Sequence, residues 1–100
     1  MKYKISLSAS QDLEHIWLYT FENWSNEQAD RYINLIMDEI EYIALKPDSG
    51  FDFGAVRKGY YRSRVKSHII FYRIDQKMDP VEIIRILHQR MDIENRLSEK

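Results

Sequence analysis

The chain has 100 residues, yet it contains no cysteine, only three glycines and no apolar run long enough to span a membrane. The absence of cysteine excludes disulfide bonds, thiolate metal sites and a thiol nucleophile. The three glycines are scattered, so no phosphate-cradling loop is present. The first residues contain no apolar core followed by a cleavage site, so no secretory signal is visible. These absences predict a cytoplasmic protein in a reducing environment.

The composition is that of an ordinary folded domain with an uneven distribution of charge. Hydrophobic residues make up 44% of the sequence, which is enough for one core, so we expect a single domain over residues 1–100. The net charge is −1, but residues 1–52 carry four basic and ten acidic residues, whereas residues 53–100 carry eleven and six. The basic half is therefore expected to accept an acidic partner. The alternative is that both halves are simply solvated surfaces.

The N-terminal quarter predicts a short strand followed by a helix. Residues 3–8 alternate in polarity, which predicts a strand that buries Tyr3, Ile5 and Leu7. Ser8 has the spacing of a helix N-cap with Gln11, and Ser10 is a competing cap. The predicted first helix spans residues 9–24. Its apolar stripe consists of Leu13, Ile16, Trp17, Phe21 and Trp24.

A second, longer helix begins after a break of two residues. Ser25 and Asn26 supply its N-cap, with Gln28 three residues after the serine. The short break predicts an antiparallel helical hairpin. Lys46-Pro47 ends the helix because a residue before proline is disfavoured in the α region, and residues 48–54 then form a loop. The apolar stripe of this helix comprises Ala29, Tyr32, Ile33, Ile36, Ile40 and Ile43.

The second half of the chain has the pattern of a strand meander. Strands are predicted over residues 60–66, 68–74 and 81–87, with reversals at Ser67 and over residues 75–80. A short terminal helix is predicted from about Asp92. The resulting order, β-α-α-β-β-β, predicts an α+β fold in which the helical hairpin packs on one face of an antiparallel sheet.

Three segments of the chain carry a family resemblance. Together with the order of elements, DLEHIW at 12–17, HIIFYR at 68–73 and IRILHQRMD at 84–92 resemble the ParE toxins of the RelE/ParE superfamily over nearly the whole chain. The resemblance implies a bacterial type II toxin that inhibits DNA gyrase by binding it. It further implies a ParD-like antitoxin, whose acidic and apolar tail folds along the toxin in a hetero-oligomer. No catalytic residue is then expected.

The competing relative in this superfamily is the ribosome-dependent messenger-RNA endonuclease. Such an enzyme needs basic and acid–base side chains around the scissile phosphate, for which Arg62, Arg64, Arg73, His88 and Arg90 are the candidates. The net charge of −1 and a C-terminal tail without histidine or tyrosine argue against it. A third possibility is a toxin that has lost activity and only binds its antitoxin.

Several polar and aromatic residues are candidates for binding a partner. Arg62, Arg64 and Lys66 fall on one face of a strand, where three like charges are unfavourable without solvent or an acidic partner around them. Tyr19 points away from the buried stripe of the first helix and is available to an exposed groove. The full set of candidate antitoxin- or target-binding residues is Tyr19, Tyr60, Arg62, Arg64, Lys66, Arg73, His88 and Arg90.

The polar end of the last strand has two interpretations. His88 is either a general base or target contact, or, as we prefer, a residue that hydrogen-bonds a neighbouring group. Asp92 has the position of an N-cap for the terminal helix, with Asn95 three residues later. His15 and His68 have no acidic or thiol residue at metal-ligand spacing, so neither a metal nor a cofactor is expected.

Overall fold

Over residues 3–74 and 81–91, the secondary structure follows the order of one strand, two α-helices, a short 3-10 helix over Pro47–Ser49 and four strands. The computed structural model describes residues 3–74, 81–91 and 97. The elements are β1 Tyr3–Ile5, α1 Leu7–Asn23, α2 Asn26–Leu45, β2 Phe51–Asp52, β3 Tyr60–Val65, β4 His68–Ile74 and β5 Val81–His88. This order confirms the predicted α+β fold. The predicted terminal helix lies outside the described residues, except for Leu97, which is helical.

The five strands form one mixed sheet in the order β1-β5-β4-β3-β2. The β2–β3, β3–β4 and β4–β5 pairs are antiparallel, as expected for a meander. In contrast to the wholly antiparallel sheet that we predicted, β1 pairs with β5 in parallel. Parallel neighbours need a long connection, which the helical hairpin and the meander together supply. The strand β2 is also new, since two residues in a predicted loop are too few to show periodicity.

The start of α1 differs from the prediction because the end of β1 is fixed by its neighbour. The Ser6 N–H donates to the Ile83 carbonyl oxygen at 2.9 Å, so strand pairing continues to this residue. The Ser6 hydroxyl oxygen then accepts from the Ala9 N–H at 3.0 Å and caps the helix, in place of Ser8 or Ser10. Leu7 is consequently the first residue of α1 and is 76% exposed rather than buried.

The second helix agrees with its predicted limits. The Ser25 hydroxyl oxygen accepts from the Gln28 N–H at 3.1 Å, and the helix ends with Lys46 as its C-cap. The two helices are joined near their connection by the Trp17 indole N–H, which donates to Asp30 at 2.9 Å. Among the described residues, neither helix combines the length and apolar character that crossing a membrane would require.

The core has two parts, one on each face of the sheet. The part between the sheet and the helices contains Ala9, Ile16, Ile36, Ile40, Ile43, Ile70, Tyr72, Val81, Ile83 and Ile86. The part on the outer face contains Tyr60, Ile69, Phe71, Ile84, Leu87 and Leu97. The predicted stripe of α2 therefore packs on the sheet, and Leu97 from the C-terminal region covers the opposite face.

A β-bulge in β5 explains how Arg85 interrupts an apolar strand without entering the core. Phe71 pairs with Arg85 whereas Tyr72 pairs with Ile83, which leaves Ile84 as the extra residue. Ile83 consequently belongs to the helix-side core and Ile84 to the outer part. The shift lets Arg85 reach from the sheet to the first helix.

The predicted burial of the aromatic stripe of α1 is wrong for its C-terminal half. Phe21 is 43% exposed and Trp24 is 64% exposed, although both lie at the predicted helical spacing. Phe21 stacks on Trp17 with the ring centroids 5.2 Å apart. Ile16 is the last residue of α1 that is buried in the core between the helices and the sheet. These aromatic side chains are therefore available for contact with a partner.

Candidate functional site

A groove of about 1010 Å³ lies between the helical hairpin and the end of the β4–β5 strand pair. Five parts of the chain form it, which are α1, the first half of α2, the β3–β4 turn, the start of β4 and the C-terminal end of β5 with the residues that follow it. Its lining residues are Ser8, Gln11, Asp12, His15, Ile16, Tyr19, Thr20, Trp24, Gln28, Arg31, Tyr32, Leu35, Lys66, Ser67, His68, Arg85, Ile86, His88 and Met91. This groove is the candidate functional site.

Two histidines meet in the groove because the register of the sheet places them opposite each other. His68 is the first residue of β4 and pairs with His88, the last residue of β5. Their rings are perpendicular, with centroids 5.2 Å apart. The Gln89 N–H donates to the Ser67 carbonyl oxygen at 2.9 Å and closes this end of the sheet. The two imidazoles are thus held by backbone pairing.

The hydrogen-bond geometry favours one tautomer for each ring. The Tyr32 hydroxyl lies 2.6 Å from His68 Nδ1, much closer than its 3.4 Å contact with the Val65 carbonyl oxygen, so we assign Tyr32 as donor to His68. The Arg90 N–H donates to His88 Nδ1 at 3.1 Å. With Nδ1 accepting in both rings, each neutral imidazole carries its proton on Nε2.

The charge state of His68 follows from its surroundings. Burial, and to a smaller extent the neighbouring His88, lowers the pKa of His68 to about 4, and Asp12 opposes the change. His68 is therefore neutral at pH 7. At this pH it is a hydrogen-bond donor and acceptor rather than a cation.

A largely buried ion pair lies in the groove. Asp12 of α1 accepts from Arg85 Nε at 2.8 Å, from Arg85 Nη2 at 3.0 Å and from the Ile86 N–H at 2.9 Å. The side chains of Arg85 and Asp12 are only 15% and 11% exposed. This bidentate pair ties the first helix to the bulged part of β5.

Besides neutral polar residues, the rest of the groove contains basic and apolar side chains. Arg31 on α2 and Lys66 in the β3–β4 turn add two exposed cations, whereas Asp12 is the one acidic residue among the lining residues. The exposed apolar side chains of the groove are Tyr19 (62%), Trp24 (64%), Leu35 (39%) and Met91 (40%). Such a surface is complementary to an amphipathic acidic segment.

The predicted arginine pair lies on the other face of the sheet. Arg62 and Arg64 alternate with residues that face the helices and thus share the outer face with Tyr60. The Arg62 guanidinium lies 5.6 Å and 5.4 Å from the ring centroids of Phe51 and Phe53. Arg64 Nε donates to the Lys66 carbonyl oxygen at 2.8 Å. Both guanidinium groups are oriented and exposed.

The structure separates the eight predicted binding residues. Tyr19, Lys66 and His88 meet in the groove, and Arg62 and Arg64 lie on the outer face. Tyr60 is only 6% exposed and packs in the outer core, so its side chain is unsuitable as a binding residue. Arg73 forms an ion pair with Glu82 at 2.6 Å, and the Arg90 side chain is exposed. The predicted cap residues Asp92 and Asn95 lie outside the described residues.

Several groove residues were not predicted to be functional. Asp12 and Arg85 carry opposite charges 73 positions apart, and nothing local in the sequence connects them. The sequence pattern argues against His68 as a metal ligand and gives it no other role, and it assigns Tyr32 only to the α2 stripe. The pairing of His68 with His88 could have been predicted from the sequence. When one reversal joins two antiparallel strands, the first residue of the first strand lies opposite the last residue of the second strand. Within the described part of the chain, no three His, Asp or Glu residues form a metal site.

Comparison with known proteins identifies the family of this chain. Residues 3–93 match the sequence profile of the family described as ParE toxin of type II toxin-antitoxin system, parDE. The chain belongs to the ParE toxin family. It is 41% identical to Toxin ParE1 of Caulobacter vibrioides over 90 residues, covering 90% of this chain and 91% of the relative. It is 33% identical to Toxin ParE1 of Mycobacterium tuberculosis over 96 residues, covering 96% and 97%.

A solved structure supports the fold of this ParE-family chain. The structure described as a chromosomal ParDE TA system from P. aeruginosa superposes with a TM-score of 0.76 at 17% sequence identity, covering 88% of this chain and 95% of that one. At this identity the likeness concerns the fold alone. The resemblance seen in the sequence is therefore confirmed for the family and for the fold, and the protein is a toxin of a type II toxin–antitoxin system.

Proposed function

We propose that this ParE-family toxin inhibits DNA gyrase by binding it, and that a ParD-like antitoxin encoded nearby neutralises it. Membership of the family carries the proposal, because the match covers residues 3–93. Gyrase is the target that the family resemblance implies. Inhibition of gyrase would arrest growth whenever the antitoxin is absent.

The groove is the proposed site for the antitoxin. Its walls expose Tyr19 and Trp24, and its rim carries Arg31 and Lys66, so it matches a segment that combines apolar anchors with acidic side chains. Such a segment is disordered alone and loses conformational entropy on binding. The apolar contacts would supply most of the affinity and the charges the orientation.

The outer face of the sheet is the proposed contact with the target. Arg62 is held over Phe51 and Phe53, and Arg64 is held by its bond to the Lys66 carbonyl, so both cations are pre-oriented for an acidic surface. Pre-orientation lowers the entropy lost when a partner binds. The toxin would then use separate surfaces for its target and its antitoxin.

A mechanism by binding, without catalysis, is supported by the separation of the endonuclease candidates. Arg62 and Arg64 project from the outer face, whereas His88 lies in the groove against His68. Transition-state stabilisation of a phosphodiester requires basic and acid–base groups around the same phosphate. The set proposed for an endonuclease does not converge on one phosphate.

Two double variants test the assignment of surfaces. Arg62→Gln/Arg64→Gln should lose inhibition of gyrase supercoiling and still bind the antitoxin, whereas Tyr19→Ala/Trp24→Ala should do the reverse. Intact supercoiling at saturating wild-type toxin would refute gyrase as the target. Equal loss of both activities in either variant would refute the separation, provided that circular dichroism shows native folding.

Primer extension tests the alternative that this protein is a ribosome-dependent endonuclease. Primer extension on translated messages should show no new cleavage sites after expression of the toxin. Codon-specific cleavage that is abolished in His88→Ala would replace the proposal with a ribosome-dependent endonuclease. Unimpaired growth on expression without antitoxin would instead indicate a toxin that has lost its activity.

A further inference from the structure

We propose that His68 and His88 together form a receptor for one carboxylate of the antitoxin tail, which binds between their two Nε2–H groups. The inference rests on the proposed function in placing that tail in the groove. It adds the chemical class of the contact at the histidine pair and a dependence of antitoxin binding on pH.

The first argument is the unused hydrogen-bonding capacity of the two rings. His68 Nδ1 is occupied by the Tyr32 hydroxyl, and His88 Nδ1 by the Arg90 N–H. Within the described ranges 3–74, 81–91 and 97, no hydrogen bond to either Nε2 is present. Two N–H donors on adjacent, perpendicular rings are thus left for a ligand that only accepts.

The second argument is the set of charges that surrounds the pair. Besides the histidine pair, titratable and charged groups reach this groove from α1 (Asp12, His15 and Tyr19), α2 (Arg31 and Tyr32), the β3–β4 turn (Lys66) and β5 (Arg85). Asp12 is bound to Arg85 through two hydrogen bonds, so the negative charge of this pair is compensated locally. Arg31 and Lys66 then leave the groove with a positive potential that favours an anion.

The third argument distinguishes the source of the anion. The same groove is lined by the exposed apolar side chains of Tyr19, Trp24, Leu35 and Met91. A free inorganic anion would gain nothing from these walls, whereas a peptide segment buries its apolar side chains on them. An aspartate or glutamate within an amphipathic segment satisfies both features.

Proton uptake follows from the burial of His68. Its imidazole, with a pKa of about 4 in the free toxin, is neutral at pH 7 and donates one hydrogen bond. A carboxylate beside it raises this pKa, because an opposite charge favours the imidazolium form. Binding therefore takes up protons at any pH between the free and bound pKa values. Affinity for the antitoxin should rise as the pH falls through the bound-state pKa, by about tenfold for each pH unit between the two pKa values.

The first experiment uses acetate as the probe and the toxin alone. ¹⁵N spectra of the histidine rings should show the pKa of His68 rising when sodium acetate replaces sodium chloride at equal ionic strength. His88→Phe keeps the ring against His68 but removes one donor, and should abolish the acetate effect. His15→Gln, a change elsewhere in the groove, should keep it. An unchanged His68 pKa in acetate would overturn the receptor.

The second experiment uses the antitoxin encoded beside the toxin gene. Calorimetry near pH 5.5 in two buffers of different ionisation enthalpy should reveal proton uptake by the wild type and its loss in His88→Phe. Binding without proton uptake would overturn the inference and leave the proposed function intact. Failure of the antitoxin to bind at all would overturn the proposed function, and the acetate result would still decide the histidine receptor.

Discussion

Removal of the Asp12 carboxylate should be among the most destabilising single changes in this fold. The carboxylate accepts three hydrogen bonds, two from Arg85 and one from the Ile86 N–H, at 2.8 to 3.0 Å. All three link α1 to β5 at the bulge. Asp12→Ala removes every one of them and leaves a guanidinium whose side chain is 15% exposed without this counter-charge.

The magnitude follows from burial. Loss of one partner of a buried ion pair costs about 3–5 kcal/mol, and we take the lower half of this range because both side chains retain some contact with solvent. The unsatisfied Ile86 N–H adds about 1 kcal/mol. The expected loss in the free energy of unfolding is therefore about 4–5 kcal/mol. Since a domain of this size is stable by about 5–15 kcal/mol, Asp12→Ala would be marginal.

Urea denaturation followed by circular dichroism measures this loss, and the chain offers a matched control. Arg73 and Glu82 form an ion pair at 2.6 Å whose side chains are 48% and 20% exposed. Arg73→Gln should cost less than about 1 kcal/mol. Asp12→Asn, which keeps one acceptor oxygen, should fall between the two. If Asp12→Ala proved no more destabilising than Arg73→Gln, the structural role assigned to the buried pair would be refuted.

Three further changes have defined outcomes in the same assay. The pKa of His68, about 4, lies below its unfolded value of 6.5, so protonation favours the unfolded state as the pH falls. After allowance for the partial exposure of His68, the free energy of unfolding of the wild type should fall by about 1–2 kcal/mol between pH 6.5 and 4, and that of His68→Phe should fall by less. Tyr72→Phe should cost about 1–2 kcal/mol, since the hydroxyl donates to the Pro47 carbonyl at 2.8 Å and accepts from the Gly50 N–H at 3.1 Å. Leu97→Ala should cost about 2–3 kcal/mol, because this side chain is 1% exposed in the outer core. A urea midpoint equal to that of the wild type would contradict the expectation for Tyr72→Phe or Leu97→Ala, and a wild-type midpoint that does not change between pH 6.5 and 4 would contradict the expectation for His68.

The accuracy of the predicted elements depended on how local their causes are. The α2 helix was predicted well because its cap, its apolar stripe and the proline that ends it all lie in one continuous segment. The start of α1 was displaced because the Ser6 cap is selected by a hydrogen bond to Ile83, which is distant in sequence. The same distance explains why the parallel β1–β5 pairing was missed.

The candidate site was predicted only in part for a related reason. A strand pattern places Arg62 and Arg64 on a common face, but it does not reveal which side of the sheet the helices cover. The amphipathic spacing of Phe21 and Trp24 predicts that both side chains are buried. They are instead 43% and 64% exposed, because the apolar stripe of α1 extends beyond the part of the helix that is buried in the core. Periodicity reports which residues share a face, and the tertiary packing decides whether that face is covered.

The sequence by itself determined the elements, their order, the segregation of charge and the resemblance to ParE toxins, because each depends on neighbouring residues or on motifs within one segment. Only the tertiary structure decided that His68 meets His88, that Asp12 binds Arg85, and that the groove and the arginines occupy opposite faces. These features depend on strand register, on one bulged residue and on the orientation of the helical hairpin. Each is set by contacts between distant segments, which form only when the whole core is assembled.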